Sequence, residues 1–143
     1  MKKLIVATLS VVLFFACKKE ENPSNGDLTL STANIAGKYR TTDAYVTLKS
    51  SLIGASIYDT AFNSVCKKYS YHTFDTAGNY VFFDSCKSSS TTSSYSITPP
   101  TMLTYGGKQY LVNSLTSTKL VVSFDSIIPV FGDATFKLTF TRQ

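Results

Sequence analysis

Ala134-Thr135-Phe136-Lys137-Leu138-Thr139-Phe140-Thr141-Arg142 alternates without a break: Phe136, Leu138 and Phe140 fall on one face, Thr135, Lys137, Thr139 and Thr141 on the other. Successive side chains of an extended strand point to opposite sides of its sheet, so this stretch predicts a strand with one dry and one wet face. Stretch 119–125 repeats the scheme with Leu120, Val122 and Phe124 inward, and stretch 110–113 offers Tyr110 and Val112. Farther back, 101–105 and 93–98 contribute Leu103, Tyr105, Tyr95 and Ile97, 69–74 and 80–83 form a hairpin, and 37–49 opens the series. Turn signals separate these runs. Asp75 and Gly78 suit a capped turn, and Gly106-Gly107 suits a two-residue hairpin whose central residues both take positive φ. About eight short strands at this spacing predict an all-β domain, an antiparallel up-and-down barrel or, as the alternative, a β-sandwich. Stretch 50–65 stays open: Ile53, Ile57 and Ala61 have helical spacing, but Gly54 and β-branched neighbours oppose it. The hydroxyl run Ser88 to Ser94 reads as an exposed loop or a strand edge facing water.

Composition agrees with strands. Only 16% of the 143 residues are charged, and 9 Tyr with 10 Phe supply the aromatics. The formal charge of +5 includes Lys2 and Lys3; without them 12 basic face 9 acidic groups, a balance too mild for a nucleic-acid footprint.

Met1-Lys2-Lys3 followed by the apolar run Leu4 to Ala16 reads as an export leader, because thirteen helical residues rise only about 20 Å, short of the roughly 30 Å hydrocarbon core. Phe14-Phe15-Ala16-Cys17 resembles the lipobox of bacterial lipoproteins, in which cleavage precedes a cysteine that becomes diacylglycerol-linked and N-acylated. That resemblance implies residues 1–16 as signal peptide and Cys17 as the lipid attachment point. Two or more acyl chains make such an anchor effectively permanent. Ordinary secretory cleavage and an uncleaved anchor are the alternatives. Lys18-Lys19-Glu20-Glu21 looks like the lysine-then-acid export tag of some Gram-negative surface lipoproteins; it reads equally as the start of a solvated, flexible tether over 17–34. The expected location is the outer membrane, lipid-anchored and surface-exposed if the tag is read as one.

With Cys17 assigned to lipid, Cys66 and Cys86 remain as an even pair in an oxidising compartment and are expected to form a disulfide. A metal site is not expected, since His72 is the only histidine and two thiols with one imidazole leave zinc short of ligands.

Ile35-Ala36-Gly37-Lys38-Tyr39-Arg40, the segment from Cys66 into Thr73-Phe74-Asp75-Thr76-Ala77-Gly78-Asn79-Tyr80, the following Cys86 and the closing Leu138-Thr139-Phe140-Thr141-Arg142 together resemble the lipocalin-like lipoprotein domains of Gram-negative bacteria. The resemblance covers about residues 35–143. It implies a closed lipocalin-like barrel in which Arg142 lies across the ring of residue 39 and seals one end. Where the family carries Trp this chain has Tyr39, and it contains no Trp at all.

The lumen of an eight-stranded barrel is either filled by side chains or holds one small ligand. The inward candidates Phe74, Tyr80, Phe82, Tyr95, Tyr105, Tyr110, Phe124 and Phe136 serve both readings: a carrier of a small apolar ligand, or a filled module that engages a protein of a surface complex. The apolar connection Ser126-Ile127-Ile128-Pro129-Val130-Phe131-Gly132 either plugs the barrel or forms a lip at its mouth. No nucleophile motif, phosphate loop or paired carboxylate stands out, and a lone His72 reads as a half-buried pairing residue, so neither enzymatic activity nor a cofactor is expected. Asp59-Thr60-Ala61, Asp75-Thr76-Ala77 and Asp125-Ser126-Ile127 are similar to the O-glycosylation sequon of some Gram-negative exported proteins, though Asp75 has the turn reading as well.

Overall fold

A computed structural model describes residues 27–143 apart from Leu52. The leader, Cys17 and the first part of the tether lie outside the described residues. Nine strands form one sheet: β1 (Gly37–Leu48), β2 (Gly54–Ser56), β3 (Tyr71–Phe74), β4 (Asn79–Asp84), β5 (Ser89–Thr98), β6 (Met102–Tyr105), β7 (Lys108–Leu115), β8 (Lys119–Ile128) and β9 (Gly132–Arg142). Every pairing is antiparallel, each strand from β3 to β9 neighbours the next in sequence, and β1 closes the ring on β9 from Tyr39↔Arg142 to Leu48↔Ala134. The fold is therefore a closed eight-stranded antiparallel up-and-down barrel, with β2 as an extra flap on β1, and the sandwich is set aside.

The two ends differ. At the closed end lie the β3–β4, β5–β6 and β7–β8 turns together with residues 27–36. Asp75 Oδ1 accepts from the backbone N–H groups of Ala77 and Asn79, and Gly78 takes φ +89° to complete that turn. The segment read as tether does not stay loose up to residue 34. Leu30 and Ile35 are buried in the core, Leu28 N–H bonds to the Leu115 carbonyl, and α1 (Thr32–Ile35) is capped by the Ser31 side chain. The plug at this end is therefore the N-terminal segment.

At the open end lie the β4–β5, β6–β7 and β8–β9 hairpins. Gly106 and Gly107 take φ +56° and +75°, the left-handed pair a two-residue hairpin demands. The apolar connection forms the β8–β9 tip, where Val130 is 99% and Phe131 62% exposed, so it does not plug the barrel.

Stretch 50–65 is neither one helix nor a simple loop. It contains β2 and a single helical turn, α2 (Tyr58–Ala61), because Gly54 approaches the Tyr45 ring too closely for any side chain, and that contact holds the chain in a hairpin. After α2 a 3₁₀ turn at Lys67–Tyr69 leads into β3. The Cys66–Cys86 disulfide ties this segment to the β4–β5 turn.

Candidate functional site

The lower barrel is filled. Tyr39, Leu103, Leu120 and Val122 have no exposed surface, and Phe74 packs edge-on against Tyr39, Tyr95 and Tyr105. Each such aliphatic side chain contributes on the order of 1.5–3 kcal/mol through burial. Arg142 seals this end. Its Nε donates to the Tyr39 hydroxyl at 3.1 Å, one terminal nitrogen donates to the same oxygen and to the Asn34 carbonyl at 2.5 Å each, and the guanidinium carbon lies 5.2 Å from the ring centroid. Tyrosine thus replaces part of a ring-face contact with hydrogen bonds that an indole could not accept. Gly37 makes room, since a Cβ there would meet Arg142 Nε at 3.2 Å.

Above this floor the barrel is incompletely filled. A cavity of about 280 Å³ opens at the mouth between Tyr80, Phe82, Tyr105, Tyr110, Leu138 and Phe140, with His72, Thr41 and Phe62 on its inner side. A second lobe of about 250 Å³ shares Thr41, Phe62, His72 and Phe82 and runs beneath the 58–70 segment to Lys67, Ser70 and Asp84. The second lobe has a topological cause. β1 pairs with β3 only through Gly37–Tyr39 and with β2 only through Tyr45–Thr47, so between these pairings no strand covers its flank and Phe62 does so instead.

The polar groups in the interior of the cavity, His72 and the tyrosine hydroxyls, are neutral. His72 Nδ1 lies 2.8 Å from the Tyr80 hydroxyl, and burial lowers the imidazole pKa to about 4. Its ring packs among Phe82 at 4.9 Å, Phe140 at 5.0 Å and Tyr80 at 5.9 Å. Tyr105 and Tyr110 stack at 4.2 Å, and burial raises both phenols, as it does Tyr80. Formal charge appears only where the lobes reach solvent, at Lys67, Asp84 and Lys108.

Of the eight inward aromatics read from the sequence, Tyr80, Phe82, Tyr105 and Tyr110 line the cavity. Phe74 and Tyr95 lie below it as packing, with the Tyr95 hydroxyl donating to the Asp75 carbonyl at 2.5 Å. Phe124 and Phe136 stack on each other at 5.1 Å beside Lys108, whose Nζ lies 5.1 Å from the Phe124 ring. His72, Phe62 and Thr41 were missed as cavity residues. Alternation with the inward Phe74 on β3 carries the signal for His72; Phe62 has none, because its place depends on the disulfide-tied segment. In the Asp-Ser/Thr motifs, Thr60 and Thr76 are exposed and Ser126 is half-buried. Among the described residues no group of three or more His, Cys, Asp or Glu side chains gathers to hold a metal ion.

No protein-family model and no curated protein matches the chain. Two solved structures resemble it at a distance. One is an odorant-binding protein (12% identity, TM-score 0.47, 82% of this chain and 77% of that chain). The other is bovine odorant-binding protein in complex with a selenium-containing odorant (14% identity, TM-score 0.44, 85% of this chain and 78% of that chain).

Proposed function

We propose that this chain is an outer-membrane lipoprotein, anchored through Cys17, whose barrel holds a small, uncharged, mainly apolar ligand and carries out no chemistry on it. The observation that carries the ligand reading is the neutral aromatic cavity above a packed floor, open at the mouth. A desolvated anion or cation would find no counter-charge among His72 and the tyrosine hydroxyls, whereas an uncharged ring gains stacking surface and one or two hydrogen bonds. The reading of a filled barrel describes the lower half only.

Titration with the neutral fluorophore 1-aminoanthracene tests the cavity. Saturable binding to the wild type, lost in Leu138→Trp with the melting temperature kept, supports the proposal; equal binding to both overturns it. Incorporation of radiolabelled palmitate that disappears in Cys17→Ser tests the anchor.

A further inference from the structure

β5 is ten residues long, but only Tyr95–Thr98 have β6 beside them; residues 89–94 pair with β4 alone. The cause is length. β6 has four residues, and the Gly106-Gly107 turn sends the chain back before it reaches the upper part of β5. The barrel wall is therefore notched there, and β5 has a free edge about 20 Å long.

Tyr95 N–H bonds to the Gly78 carbonyl on the β4 side. Antiparallel alternation then turns the backbone groups of Ser89, Thr91 and Ser93 toward β4 and those of Ser90, Thr92 and Ser94 outward. Natural edges are blunted by lysine, proline, a bulge or brevity. β2, an edge strand on β1, has three residues, but this edge has six and every residue from Ser88 to Ser94 is Ser or Thr. It is also braced. The disulfide fixes the hairpin tip, Ser85 N–H donates to the Ser70 hydroxyl at 3.0 Å, and the Ser85 hydroxyl donates to the Cys66 carbonyl. A rigid edge loses little conformational entropy when it pairs.

We propose that this edge pairs with the same edge of a second copy, antiparallel about a two-fold axis at Thr92, joining the β4–β5 ribbons of two barrels into one sheet. In that register Ser90 faces Ser94 of the second copy and Thr92 faces itself, so hydroxyl meets hydroxyl and no like charges oppose each other. Pairing stops at Tyr95, which faces Tyr105 at the end of β6, and this matches the length of the free edge.

Sedimentation velocity of the purified full chain over a concentration series tests this. The wild type is expected to shift from monomer to dimer as concentration rises. Thr92→Pro removes an N–H that points away from β4, and Thr92→Lys sets like charges against each other on the axis. Each is expected to raise the dimer dissociation constant at least about tenfold, the lysine variant recovering partly in high salt. Having two variants guards against a misfolded proline variant, since the lysine leaves the backbone untouched. A wild type that remains monomeric to about 200 µM, or a lysine variant that is folded and dimerises as the wild type does, overturns the proposal.

Discussion

Arg142 donates two hydrogen bonds to the hydroxyl of Tyr39 across 103 residues of sequence, and that contact joins the first and last strands at the closed end. Tyr39→Phe keeps the ring and removes the acceptor, leaving a part-buried guanidinium with only the Asn34 carbonyl. The expected loss is about 1.5–3 kcal/mol, read from urea midpoints at unchanged slope. A loss no greater than that of an exposed Tyr45→Phe control would show that the hydroxyl contributes nothing.

His72 gives the fold a pH dependence with a defined sign. Its folded pKa, about 4, lies below its ordinary value near 6.5, so the unfolded chain binds the extra proton first. Stability is complete above about pH 6.5, falls as the pH drops, and levels off below the folded pKa. Between pH 8 and 4.5 the wild type is expected to lose about 2–3 kcal/mol, with a smaller pH slope in His72→Gln. The depressed carboxylates Asp75 and Asp125, held by Asn79 and by Lys49 with Thr135, lose their contributions at still lower pH and do not confuse this window.

The Cys66–Cys86 bond spans a sequence separation of 20 residues, for which the loop-entropy relation gives a contribution of about 3 kcal/mol. Replacing both cysteines by serine is expected to lower stability by this order. It also frees the segment that presents Phe62 to the cavity, so 1-aminoanthracene affinity falls at temperatures where the barrel is still folded. Equal affinity in the folded double variant would separate the segment from the site.

Val130 carries φ +75° at the tip of the β8–β9 hairpin while 99% exposed, a conformation that β-branched side chains strongly disfavour. Val130→Gly is expected to raise stability by about 0.5–1 kcal/mol in thermal unfolding. Phe131→Ser in the same loop is expected to leave it within about 0.5 kcal/mol, as for an ordinary surface position. A large loss in Phe131→Ser would return this loop to the role of plug.

Strand order was legible because each core strand announces its own inward face by alternation, as in Phe136, Leu138 and Phe140, and because turn residues such as Asp75 and the Gly106-Gly107 pair act within a few residues of themselves. Cavity residues were legible by half. Alternation says that Tyr80, Tyr95 and Tyr105 point inward, but not at what height, and height separates a packed floor from an open mouth.

What the sequence alone determined here is what local physics carries: the period-2 strands, the tight turns and the direction of each side chain. Tertiary structure decided what depends on lengths compared between strands far apart in the chain. β1 changes partner midway and leaves a flank that Phe62 covers; β6 stops short of β5 and leaves an edge free; the side chains fill the barrel at its closed end but leave space toward its mouth. Those outcomes follow from closing a ring of unequal strands, a constraint that no single stretch of residues contains.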